Sequence, residues 1–363
     1  MNKSLTLVSL LIGSNLIADI DLKEDIQIRL GAQTHESKSD LSLGGRLHIE
    51  GRSYIDGLSG GVSFATTNAL FGKNDSLGVG FFGSDFQSYS LLQEVYLKYN
   101  ISNTTLNIGR QILDTPFADS DDRGMIANSF EAYSLTNTDL VDTTLSFSYI
   151  TKMSGVDSET PEHFSKLNEN RGVLAFGASY EGFSNLILNS WFYNMPSTAN
   201  YSYADMEYNG KSENIEYALA LQYALQDHKN SDDATIYGVG LSLGYEGATL
   251  SFAYNKSLDA VADNGFGGGP FFTSMEHLTL SEAGVDGQIF SYGLEFELVD
   301  GLGFYIFNAL LESSSGENAD ELDTVLSYSY NDNLSLDLIY SKVDDDINGD
   351  SFNNSRFFAN YSF

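Results

Sequence analysis

The stretch TPFADSDDRG, residues 115–124, sets Asp119, Asp121, Asp122 and Arg123 within five consecutive positions. Carboxylates this close can hold a cation, share a proton or present a negative field to solvent. The EF-hand spacing, with its central Gly and closing Glu, is absent. A catalytic pair would need a nucleophile or substrate pocket beside it, and nothing in the neighbouring sequence places one. Arg123 is also set to bridge a neighbouring Asp and simply hold a loop. Cation site, acid pair and salt-bridged loop all remain open at this level, and the elements around the stretch must decide.

Other candidate chemistry is sparse. Five histidines (His35, His48, His163, His228, His277) lack metal-ligand spacing, and cysteine is absent. There is no Gly-x-Ser-x-Gly elbow and no phosphate-binding loop. GFGGGP, residues 265–270, has no following Lys or helix pattern and reads as a flexible or folded loop rather than a nucleotide site. DDDINGD, residues 344–350, loosely resembles a calcium turn and reads more simply as a solvated loop tip. No cofactor, no metal site and no enzymatic activity are expected. With 50 acidic against 18 basic residues, a net charge of -32, nucleic acid is not an expected partner.

The flanking sequence alternates. In LSLGGRLHIE, residues 41–50, Leu41, Leu43, Leu47 and Ile49 fall on one face and Ser42, Arg46, His48 and Glu50 on the other. In NIEYALALQYAL, residues 214–225, Ile215, Tyr217, Leu219, Leu221, Tyr223 and Leu225 share a face. Phe290, Tyr292, Leu294, Phe296 and Leu298 do the same, opposite Ser291, Glu295 and Glu297. Alternation sustained over about ten residues signals strands long enough to cross a bilayer at a tilt.

Short turns rich in Gly, Asn and Asp recur in YEGFSNLIL (180–188), YEGATLSF (245–252), VDGLGFYIF (299–307) and YNDNLSLDL (330–338). Between them lie longer polar segments at 70–88, 154–169, 258–286, 313–321 and 344–352. Tight turns at one edge and long loops at the other are the mark of an outer-membrane barrel. The pattern predicts an all-β fold: a transmembrane antiparallel β-barrel of about 18 strands with short periplasmic turns and long extracellular loops. Alternation is poorest in the sixth and tenth strands, near 128–137 and 199–208.

MNKSLTLVSLLIGSNLIADI opens with Lys3, an apolar run Leu5–Ile12 and small or polar residues up to Ala18. This reads as a signal peptide over 1–18, ahead of one barrel domain over 19–363. A buried first strand or an anchor helix is the competing reading. The last strand, RFFANYSF, ends on Phe363 and resembles the C-terminal signal read by the barrel-assembly machinery. Tyr99, Tyr180, Tyr245 and Tyr330 at strand ends suit an interfacial girdle facing outer-membrane lipid and lipopolysaccharide.

GRQILDTPFADSDDRGMIANSFEA, residues 109–132, resembles the conserved segment of the OprD-like family of outer-membrane porins. A Gly-Arg strand end leads through Pro116 into the acidic loop and then a Phe-Glu strand start. The resemblance implies an 18-stranded passive channel in a Gram-negative outer membrane, as a monomer or a homotrimer. It also implies an inward loop set against a basic wall. Loop 114–127 would carry Asp114, Asp119, Asp121, Asp122 and Arg123, with Glu131 adding to its acidic side. Strand parity puts Arg29, Arg46, Arg52, Arg171 and Arg356 on the inner face, with Arg29, Arg46, Arg52 and Arg356 on the closing seam. Arg110 falls on the apolar parity of its strand and needs a bulge or a place at the rim. The function expected is diffusion of small hydrophilic solutes and ions. The alternatives are a plugged structural or adhesin-type barrel and, further off, a barrel enzyme.

Overall fold

The computed structural model describes residues 21–71 and 80–363; the signal peptide read over 1–18 lies outside them. Among the described residues eighteen long strands form the wall. They are β1 (Asp21–His35), β2 (Lys38–Arg52), β3 (Leu58–Phe71), β4 (Tyr89–Ile101), β5 (Thr104–Gln111) and β6 (Ser129–Asn137). Next come β7 (Thr143–Ser154), β8 (Val173–Phe183), β9 (Leu186–Met195), β10 (Ala199–Ser212), β11 (Ile215–His228) and β12 (Ala234–Tyr245). The last six are β13 (Ala248–Leu258), β14 (Gly287–Val299), β15 (Leu302–Ser313), β16 (Asn318–Asn331), β17 (Leu334–Asp345) and β18 (Phe352–Ser362). A two-residue piece, Ser165–Lys166, adds a bridge to the loop end of β7.

Each strand pairs antiparallel with the next, and β18 closes on β1 through registers such as Arg29↔Asn360 and Gln33↔Arg356. Closure leaves no strand edge, so every backbone group within the sheet finds a partner without water. The alternation sorts the faces as expected. Leu219, Leu221, Tyr223 and Leu225 are exposed on the outside, while Gln222, Ala224 and Gln226 are buried inside.

One end is built from tight turns. At Glu246-Gly247 both residues have positive φ, 49° and 82°, the backbone that matches the twist of a two-residue hairpin. The other end is less uniform than the sequence predicts. The connections at 36–37, 196–198 and 229–233 are also short. The polar segment expected over 313–321 is a short loop, because β16 starts at Asn318 and carries Glu321 inward. The long loops at this end are the second, described over 80–88, the third (112–128), the fourth (155–172) and the seventh (259–286).

Arg171 corrects an expectation. It lies outside β8, exposed, after the 3-10 turn Asn168–Asn170. The left-handed backbone of Asn168, Glu169 and Asn170, with φ of 48°, 52° and 70°, cannot continue a strand. The weak alternation in β6 and β10 also has a cause. Phe130 and Ala132 on β6 and Tyr201 and Tyr203 on β10 are apolar or aromatic residues that point inward, into one buried cluster with the loops.

Candidate functional site: the loop-lined lumen

The third loop leaves β5 and turns into the barrel. A tight turn closes it at Pro116-Phe117, where Thr115 and Ala118 exchange backbone hydrogen bonds at 2.9 and 3.1 Å. Phe117 is 1% exposed. Its ring meets Tyr193, Tyr201, Tyr203 and Phe271 at centroid distances of 5.4, 5.0, 5.9 and 6.3 Å. Burial of one such aromatic in a shell of rings is worth several kcal/mol on the order of 3–5. It pins the loop to the β9–β10 wall.

The acidic run follows. Asp122 makes a two-pronged pair with Arg29, at 2.7 and 2.8 Å. Arg29 also donates to the Gly124 carbonyl and to Asn360, both at 2.7 Å. Next to this pair Met125 fills a notch in β1, where a Cβ on Gly31 would come within 2.4 Å of its sulfur. The loop thus touches the seam directly. The arginine strip and the aspartates do not face each other across a gap, as the sequence reading supposed; Arg29 and Asp122 are joined.

Arg123 turns the other way. It pairs with Asp121 at 3.0 Å and with Asp157 of the fourth loop at 2.6 Å, and donates to the Glu276 carbonyl of the seventh loop at 3.1 Å. Burial pushes the Asp121 carboxyl up to about 7, against the pull of Arg123 and with the push of Asp157. Burial also raises Asp119, with Asp114 adding to the shift. Asp114 itself is exposed.

The seventh loop lies against the third. Ala118 and Phe266 form a parallel bridge, with Asp119 N–H donating to the Phe266 carbonyl at 3.1 Å. A Cβ on Gly267 would stand 2.7 Å from the Asp119 Cβ. This close approach explains the Gly-rich run at 265–270. Further along, Arg356, with a side chain 0% exposed, pairs with Glu276 and donates to the Arg123 carbonyl at 2.9 Å. Glu321 accepts from the backbone N–H of His277 and Leu278 at 3.1 and 2.6 Å. His277 is held neutral, its pKa pushed down to about 3 by burial and by Arg356 and Arg123. The third and seventh loops therefore meet each other and two opposed walls.

The remaining expected residues divide. Arg46 faces inward and pairs with Asp25 at 3.1 Å, beside Arg29 and Asp122 around a cavity of about 180 Å³. Arg52 ends β2 at the short-turn rim, exposed and at the opposite end from the loops. Glu131 does not join the acidic side. It lies on the outward parity, opposite to buried Phe130 and Ala132, and pairs with Lys152 at 2.9 Å. Arg110 has the same outward parity beside Glu131, at the rim, with its guanidinium 4.2 Å from the Phe164 ring centroid. Among the described residues no cluster of His, Asp or Glu has metal-ligand geometry.

Asp157, Glu276, Glu321 and Phe117 were missed from the sequence. The inward carboxylates at Glu321 and Asp323 were the available signal, since alternation places both on the lumen face.

A family model described as outer membrane porin, OprD family, matches residues 68–271. Among solved structures, the fold is similar to OpdK of Pseudomonas aeruginosa with vanillate, at TM-score 0.80 and 15% identity, over 94% of this chain and 98% of that one. OccAB3 of Acinetobacter baumannii aligns at TM-score 0.80 and 12% identity, over 94% and 99%. OccK2 (OpdF) of Pseudomonas aeruginosa in complex with glucuronate aligns at TM-score 0.77 and 16% identity, over 94% and 98%. No curated protein matches the chain.

Proposed function

Since the chain belongs to the OprD family of outer-membrane porins, we propose that it is a passive, water-filled channel whose constriction is set by the third and seventh loops. It is a barrel of the Gram-negative outer membrane. Small hydrophilic solutes and ions cross it down their gradients. The observation that carries this reading is the double attachment of the third loop inside the lumen. Phe117 is packed on the β9–β10 wall and Asp122 is joined to Arg29 on the seam. A loop fixed at two walls narrows the lumen without needing a plug domain.

Beside it a cavity of about 630 Å³ lies under the loops against β13–β17. A second, of about 350 Å³, shares Tyr305 and Ser327 with the first and reaches the Gly247 and Gly301 turns. Together they trace a route from the constriction to the short-turn, periplasmic mouth. Polar and charged groups along such a route replace a solute's hydration shell, and apolar solutes gain nothing there. The outer belt suits lipid and lipopolysaccharide. The exposed Phe363 at the chain end suits recognition by the assembly machinery.

The test is single-channel current in a planar bilayer under a salt gradient, wild type against Asp119→Asn/Asp121→Asn/Asp122→Asn. Discrete openings whose reversal potential moves toward anions in the variant support a channel filtered at this loop. Openings with an unmoved potential place the filter elsewhere. A folded, heat-modifiable barrel that carries no current favours the plugged structural alternative.

A further inference from the structure

Among the described residues the basic groups buried near the loops are engaged, Arg123 with Asp121 and Asp157 included, and Lys211 on the inner face of β10 pairs with Glu216. Arg29 is joined to Asp122 and Arg356 to Glu276, while Arg46 is paired with Asp25. Inward Lys23, Arg52 and Lys98 sit toward the short-turn rim of β1, β2 and β4. The wall from β14 to β17, which adjoins β18, carries carboxylates that make no ion pair among the described residues; Arg123 lines the same cavity but is already paired with Asp121 and Asp157. Asp337 accepts from the Ser327 hydroxyl at 2.6 Å and from Asn360 Nδ2 at 3.5 Å. Asp323 is 4% exposed and lines the larger cavity. One of its oxygens accepts from the Glu276 N–H at 3.3 Å, and the other, Oδ1, has no hydrogen-bond partner. Glu295 and Glu297 continue the series into the lower cavity. Between the carboxylates stand the rings of Phe272, Tyr305 and Phe307.

We propose that this carboxylate-and-aromatic track makes the channel a conduit for small organic cations, ammonium-bearing solutes with a flat or apolar body. The inference rests on the porin reading and names its solute class. An ammonium entering the track exchanges water for Asp323, Asp337 and then Glu295, and its body lies on Tyr305 and Phe307. A ring face attracts a cation through its quadrupole, and a cleft lined by one sign of charge concentrates the opposite ion. A carboxylate solute finds neither on this route. Its natural docking groups, Arg29 and Arg356, are engaged by the loops.

The experiment compares two probes of matched shape, phenethylammonium chloride and sodium phenylacetate, by reversal potential across a planar bilayer holding the full-length barrel. The expected result is a phenethylammonium permeability roughly tenfold above that of phenylacetate. Asp323→Asn/Asp337→Asn should bring the ratio close to parity. If that pair disturbs the barrel, Asp337→Asn alone, at a half-buried position, should still cut it severalfold. Equal or higher phenylacetate permeability overturns the proposal while leaving the porin reading intact. A ratio unchanged in a heat-modifiable Asp337→Asn barrel also overturns it. A wild-type barrel that passes neither probe nor potassium overturns the porin reading, and this inference with it.

Discussion

Where β18 closes on β1, arginines hold loops. Beside that seam, from β14 to β17, carboxylates line open space. The first region buries Arg356 completely and Arg29 nearly so, each joined to a loop carboxylate. The second leaves Asp337 with a serine and an asparagine and Asp323 with one unpartnered oxygen. The same residue classes do different work because of what faces them. A buried charge must be paired; once an arginine is paired to a loop it acts as an anchor, and its field is largely cancelled at a distance. Along β14–β17 the wall carboxylates have no such partner, and the loop arginine lining their cavity, Arg123, is already paired with Asp121 and Asp157.

The strongest way to break this contrast is Arg356→Ala. It strands Glu276 beside Glu321 and Asp323 and removes the anchor of the seventh loop. Removing one partner of a buried pair costs about 3–5 kcal/mol. The unfolding temperature in a gel-shift assay should fall, and channel noise from a loosened loop should rise. Phe117→Ala should be similar in size, about 3–5 kcal/mol of lost packing. It frees the third loop from β9–β10 and leaves the charges untouched, so conductance should rise with little change in ion preference.

Arg29→Ala is a smaller lesion. Asp122 is 55% exposed, so water screens the pair and the loss is about 1–2 kcal/mol. Its sharper readout is electrical. With Arg29 gone, Asp122 becomes a free carboxylate in the lumen, and the reversal potential should move toward cations.

The smallest expected effect is on pH. Burial holds the proton on Asp121 up to about 7. Because the folded-state value is raised, the stability it contributes is present at low pH and lost as pH rises from the ordinary carboxylate range through about 7. Its charge appears over the same window, so cation preference should increase as pH rises, roughly twofold. His277, pushed down to about 3, should add no step near neutrality.

Much of the wall was legible in the sequence because membrane strands obey a two-residue period and tight turns need positive φ. The strand β11, whose alternation runs over 214–225, and the turn at Glu246-Gly247 follow from those two rules alone. Legibility weakened where a loop supplied the apolar partner. Tyr201 and Tyr203 on β10 point inward to meet Phe117, so the period that marks a lipid-facing strand is blurred there. Arg171 was misplaced because three left-handed residues before it end the extended backbone, which composition does not announce. The acidic run was visible, but its partners were not. Arg29 and Asp122 are 93 positions apart, and only barrel closure and the inward fold of the third loop bring them to 2.7 Å. GFGGGP read as a flexible or folded loop with no role. Its missing side chains are what lets the seventh loop lie on the third.

In the proposed channel the third and seventh loops, held by Arg29 and Arg356, set the narrowest part. Single-channel conductance of wild type against Arg29→Ala/Arg356→Ala, in barrels checked for heat-modifiable migration, tests it most directly. Discrete wild-type openings and clearly larger, noisier ones in the double variant are expected. Openings of the same size in both would contradict it, because the anchored loops would then not limit the current.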